Sequence, residues 1–191
     1  GGLVEYFRVP DGYLFHQGHT WFRREGRELV SVGLDDFAQR FLGRIDELNL
    51  PHAGSRVNQG EKGWTLTVDS RIIPMISPVD GEVVAVNDAA LRNPGVVNED
   101  PYGRGWLLKV RPSRITPNKR TMLSGEMARQ WMSGVLHRLR DDAARTVTRD
   151  DVALGTTYQD GGTPVRGIAR TLAGDRWEEL AREYLLADGN A

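Results

Sequence analysis

The sequence predicts a mainly β fold with added helices: a small sandwich or barrel followed by a C-terminal helical extension. Three observations lead there. Residues 13–111 are a succession of short apolar-alternating runs broken by glycine and proline. Beyond residue 112 the apolar residues recur at helical spacing instead. At 191 residues with 39% hydrophobic and 27% charged residues, the chain has the composition and length of a globular domain with an appendage. The β part is assigned to 3–112 and the helical extension to 113–191, with Gly1 and Gly2 set aside as a cloning remnant.

In the β part, residues 21–34 form two runs around Glu25-Gly26, a hairpin signal. Residues 34–43 form a short helix, with Asp36 as cap and Gln39 three positions on. Phe37 and Phe41 share one face of that helix and Gly43 ends it. A short strand is centred on Val57, between Gly54 and Gly60. Trp64, Leu66 and Val68 then alternate with Thr65, Thr67 and Asp69. The stretch 65–83 reads as two strands with a tight connection whose tip is Asp69-Ser70-Arg71. Residues 81–88 and 105–112 supply the closing strands.

In the extension, 116–121 is a linker and 124–140 a helix capped by Ser124, with Met127, Trp131, Val135 and Leu139 on one stripe. A second helix spans 163–174, with Pro164 in its first turn and Gly174 past its end. A third spans 175–188, capped by Asp175, with Trp177, Leu180, Ala181, Tyr184 and Leu185 as its apolar face. Charge is segregated: residues 112–150 hold eight Lys/Arg against four Asp/Glu, and 151–191 hold four against seven. Either the helices pair through complementary faces or the first block is a basic patch for a partner.

Composition excludes several classes of function. The net charge of -1 shows no basic excess, so no nucleic-acid partner is expected. The absence of cysteine removes disulfides, thiolate catalysis and Cys-ligated zinc or iron–sulfur sites, and fits a cytoplasmic protein. No apolar run approaches the ~20 residues of a membrane span, and no signal-peptide pattern is evident. His16, His19, His52 and His137 do not make a cluster. His16 and His19, three apart in a strand, point to opposite faces, so no metal is expected and His19 is structural. Asp80 and Glu82 flank a turn glycine and read as a solvated turn. With no phosphate-binding loop and no nucleophile elbow, an autonomous enzyme is not expected.

Several motifs carry a resemblance. They are Phe15-x-x-x-His19-x-Trp21, the run Val32 to Gly43, Leu50-Pro51-x-x-Gly54-x-x-Val57, Pro78 to Asn87, and residues 98–110. In this order they resemble the glycine cleavage system H protein family, over roughly residues 13–111. The resemblance implies a lipoyl-domain-like barrel-sandwich hybrid presenting a hairpin. In the family that hairpin bears a lysine carrying lipoate, which shuttles an aminomethyl group between partner enzymes.

The sequence departs from the family at that lysine. The matching position is Arg71, or Ser70 if the gap is placed differently. Neither side chain can form the amide to lipoate, because a guanidinium stays protonated and a hydroxyl offers no amine. Lys62, Lys109 and Lys119 lie elsewhere. No cofactor is therefore expected. The neighbouring Ile72, Ile73, Pro74, Met75 and Ile76 also depart from the family's small and polar residues, which favours natural divergence over a single edit. This run is either a docking knob, with Trp131 and Trp177 as further contact candidates, or a surface that the tail helices cover. The resulting expectation is a non-lipoylated interaction or scaffold subunit of a larger bacterial complex, of redox or one-carbon type, with protein partners. The alternatives are a lipoyl carrier modified at Lys62 and a non-lipoylated decoy that regulates the glycine-cleavage enzymes.

Overall fold

The computed structural model describes residues 6–147 and 167–187. Strands β1 (Leu14–His16), β2 (Thr20–Gly26) and β3 (Leu29–Leu34) make an antiparallel meander. Helix α1 (Asp36–Leu42) follows, then β4 (Glu47–Asn49), β5 (Arg56–Val57), β6 (Lys62–Val68), β7 (Arg71–Ile76) and β8 (Gly81–Val86). Two short helices, α2 (Asp88–Arg92) and α3 (Gly95–Glu99), precede β9 (Leu108–Pro112). One sheet has the order β1-β2-β3-β9-β8-β5 and the other β4-β6-β7, all neighbours antiparallel. Their inner faces meet in one core: Phe22, Val30, Val32 and Val110 from the first sheet, and Trp64, Leu66, Val68, Ile73 and Met75 from the second. Period-two alternation in β6 buries Trp64, Leu66 and Val68 and leaves Thr65 and Thr67 half-buried on the other face, as the sequence pattern requires.

Among the described residues the extension contains α4 (Ile115–Arg120), α5 (Gly125–Val147), α6 (Ile168–Ala173), a 3-10 turn (Gly174–Arg176) and α7 (Trp177–Tyr184). These helices are not a separate layer with a core of its own. Leu136, Leu139, Leu172, Trp177, Ala181 and Tyr184 belong to the same buried cluster as the sheets. Gly167 lies so close to the end of α1 that a Cβ there would meet the Leu42 carbonyl carbon at 2.4 Å.

Several local expectations are corrected. Asp35, not Asp36, caps α1: its carboxylate accepts from the Ala38 N–H at 2.8 Å, and Asp36, the first helical residue, accepts instead from the Gln39 amide. Residues 116–121 are largely helix, because Asn118 is buried and hydrogen-bonded to Asp80 and Gln59, which fixes that turn of chain against the barrel. The first hairpin turns at Arg27-Glu28, since β2 continues through a bulge to Gly26. On α5 Leu139 is buried as expected, but the rest of the buried stripe is Ala128, Met132 and Leu136, one position on from Met127, Trp131 and Val135, of which Trp131 and Val135 pack partly against the core and Met127 is 66% exposed. Two apolar stripes run side by side on that helix, and packing chose between them. Trp177 to Tyr184 is preceded by a 3-10 turn rather than capped by the Asp175 side chain. Pro164 lies outside the described residues. His16 ends β1, and His19 sits beyond it in a left-handed turn (φ 66°), so the two do not share a strand.

Gly33 faces Trp21 across the β2–β3 ladder. A Cβ at Gly33 would come within 2.5 Å of the buried indole, whose Nε1 donates to the Leu34 carbonyl. Gly33→Ala is therefore expected to cost about 1–3 kcal/mol, read as a lowered urea midpoint with unchanged slope.

Candidate functional site

The hairpin β6–β7 turns through Asp69 (φ 49°) and Ser70 (φ 64°), both left-handed, as a two-residue turn of the primed type requires. No glycine relieves this geometry, so tertiary contacts must hold it. The Asp69 N–H donates to Asp46 at 2.9 Å, and Arg170 of α6 pairs with the Asp69 carboxylate at 3.0 Å. Arg71, the first residue of β7, donates to the Asp175 carbonyl at 3.2 Å and pairs with Glu178 at 3.4 Å. Arg182, one turn along α7, pairs with the same Glu178 and donates to the Ile72 carbonyl at 3.3 Å. The guanidinium carbons of Arg71 and Arg170 lie over the Trp177 ring at 5.9 and 5.2 Å. The helical tail thus grips the hairpin tip through ion pairs to Asp69 in the turn and Arg71 on β7.

The sequence-derived candidates distribute as follows. Ser70 is exposed at the tip and Arg71 is half-buried in the grip. Ile73, Met75 and Ile76 are buried, so they are core residues and not a docking knob. Pro74 is half-buried on β7, at the edge of its sheet, where a missing N–H is tolerated. Ile72 alone of the run is open, at 59% exposure. Trp177 is buried under the tip, and Trp131 is half-buried with its ring stacked on His19 at 4.9 Å. Both tryptophans anchor helices. Lys62 pairs with Ile76 at the open end of the hairpin, six residues and roughly 20 Å along the strand from the turn. Sequence reasoning named Asp69 at the tip but missed the tail residues that grip it and its neighbours, Arg170, Glu178 and Arg182. Their one local signal is the Glu178/Arg182 i,i+4 pair; the link to Asp69 spans about a hundred residues of chain. Among the described residues no group of three or more His, Asp or Glu is placed to hold a metal ion.

A family model described as "Glycine cleavage H-protein" matches residues 13–134. The chain belongs to the glycine cleavage H-protein family. A glycine cleavage system H protein from Rubrobacter xylanophilus is 42% identical over 115 residues, covering 58% of this chain and 90% of that one. One from Bacteroides fragilis is 40% identical over 104 residues, covering 54% and 82%. The mitochondrial H protein of Oryza sativa subsp. indica is 37% identical over 112 residues, covering 58% and 68%. The crystal structure of an H protein from Mycobacterium marinum superposes with a TM-score of 0.53 at 28% identity, covering 64% of this chain and 95% of that chain. The mainly β fold is thus the H-protein fold, and members of this family are carrier proteins rather than catalysts. No helix among the described residues is long and apolar enough to cross a membrane.

Trp177→Ala would remove the ring beneath the tip and is expected to cost about 3–5 kcal/mol, with faster amide exchange in β6–β7 as the local readout. A second expectation concerns His16, whose Nδ1 accepts the Gly18 N–H at 3.0 Å. Burial, with His19 nearby, pushes its pKa from 6.5 down to about 4. The unfolded chain therefore binds this proton first. The stability of the neutral ring is intact above pH 6.5 and is lost as pH falls toward 4. The urea midpoint should fall less steeply over that range in His16→Asn than in the unsubstituted protein.

Proposed function

We propose that this chain is an H-protein-family subunit that acts through surface contacts with protein partners in a larger assembly, without a lipoyl arm at its hairpin. The carrying observation is the tip itself. Asp69, Ser70 and Arg71 offer no amine, and Arg71 is engaged by Asp175 and Glu178. A carrier arm needs an attachment point free to swing between partners, whereas this tip is tied down by charged contacts to the tail. Lys62 does not substitute for the missing lysine, because it lies at the far end of the hairpin. The exposed Ile72 and Ser70 remain available as part of a contact surface beside the tail. A bacterial redox or one-carbon complex is the class of assembly proposed.

Co-expression with a lipoate ligase, with an H protein of known modification as control, tests this. The intact mass of this chain should stay unmodified while the control gains lipoate. A lipoyl mass on this chain, mapped to Lys62 or any other residue, would return it to the carrier role.

A further inference from the structure

Beyond the hairpin, the outer face of the larger sheet carries a cluster of cations. Arg56 of β5, Glu82 of β8 and Arg111 of β9 are consecutive cross-strand neighbours. Val57, Val83 and Val110, the adjacent residues on the same strands, are buried. Strand alternation therefore turns Arg56, Glu82 and Arg111 to the outside. Lys109, two residues before Arg111, shares that face, and Arg114 follows just past the end of β9.

Several arginines elsewhere find carboxylates: Arg71 and Arg182 share Glu178, Arg129 meets Asp11 and Glu126, Arg138 meets Glu183, and Arg170 meets Asp69. Here Arg56 reaches only the Ser113 hydroxyl, and Arg114 makes no ion pair among the described residues. Arg111 is 58% exposed and its contact to Glu82 is long, at 3.8 Å. Asp80, whose carbonyl accepts the Ser113 N–H, directs its carboxylate to the Gln59 N–H and the Asn118 amide instead. Four cations thus share this region with two carboxylates, Glu82 and Glu25, the latter accepting from the hydroxyl of Ser31, the cross-strand partner of Lys109, on a chain whose net charge is -1.

We infer that this face is an interaction surface for the acidic face of a partner protein. Arg56 and Arg111 flank Glu82 at about two strand spacings, roughly 10 Å apart, which suits two carboxylates held on a folded surface with a donor between them. A nucleic acid fits less well. The ring beside the patch, Trp106, has the Lys109 ammonium over it at 5.0 Å and packs in part against the Tyr13, Trp21 and Tyr102 cluster, so it is poorly placed to stack on a base. The chain's net negative charge also opposes long-range attraction of a polyphosphate. This surface does not depend on how the hairpin is used.

The test is binding of the full-length protein to poly-L-glutamate and to a double-stranded DNA of matched charge, followed by fluorescence anisotropy at low and at physiological ionic strength. Two triple variants are compared. R56A/R111A/R114A removes the patch, and R27A/R92A/R140A removes the same charge from exposed arginines elsewhere. Thermal melts confirm that both variants fold. Poly-L-glutamate should bind in a salt-sensitive way, about tenfold more weakly to the patch variant than to the control variant. Equal losses in the two variants, no binding to poly-L-glutamate, or tighter binding to the DNA would each overturn the assignment.

Discussion

The buried carboxylate of Asp35 joins three parts of the chain. It accepts from His19 Nδ1 at 2.8 Å and from the Ala38 N–H at 2.8 Å, while its own N–H donates to the His19 carbonyl at 3.0 Å. A carboxylate has no proton to give, so His19 must carry one on Nδ1, and the ring orientation is fixed with it. The His19 ring then stacks between Phe37 of α1, at 4.2 Å, and Trp131 of α5, at 4.9 Å. Phe37 continues the contact to Phe41 and to Tyr184 of α7, at 5.0 and 5.8 Å. One polar pair therefore sets the start of α1 and the left-handed turn after β1, and the aromatic series above it seats both ends of the helical extension. Buried and hydrogen-bonded, the pair is a strong positional constraint, since loss of either partner leaves the other unsatisfied.

Because α7 is seated on α1, its first turn arrives at the tip of β6–β7. Trp177 enters the shared core, and the charged residues around it, Arg170, Glu178 and Arg182, have nowhere to point except at Asp69, Arg71 and the Ile72 carbonyl. These contacts are partly solvated, so each contributes modestly. Their collective effect is to cover the apolar strand β7 and restrain a turn that has no glycine. The hairpin tip is thereby held against the tail through Arg71, Arg170, Glu178 and Arg182. The same packing leaves the outer face of the larger sheet open, with its cluster of cations.

The mainly β class and its family were legible because they rest on local patterns. Alternation in Trp64–Val68, the apolar pair Phe37/Phe41 and the spaced motifs from Phe15 to Val110 each report on their own few residues. That Asp69, Ser70 and Arg71 carry no amine at the tip was legible for the same reason. Helix ends were less so, as the shift of the cap from Asp36 to Asp35 shows: two adjacent aspartates are equivalent in sequence, and only the approach of His19 distinguishes them.

What the sequence determined by itself is therefore the strand set, the H-protein family, and the chemistry absent from residues 69–71. The tertiary structure alone decided that Ile73, Met75 and Trp177 are interior, that Trp131 is a stacking partner of a histidine, and that the tail closes over the hairpin. The reason is distance along the chain. Arg170 and Asp69, or Trp131 and His19, are separated by more than a hundred residues, and no local periodicity encodes which apolar face meets which. Burial of the shared core selects that arrangement, and the ion pairs at the tip follow from it.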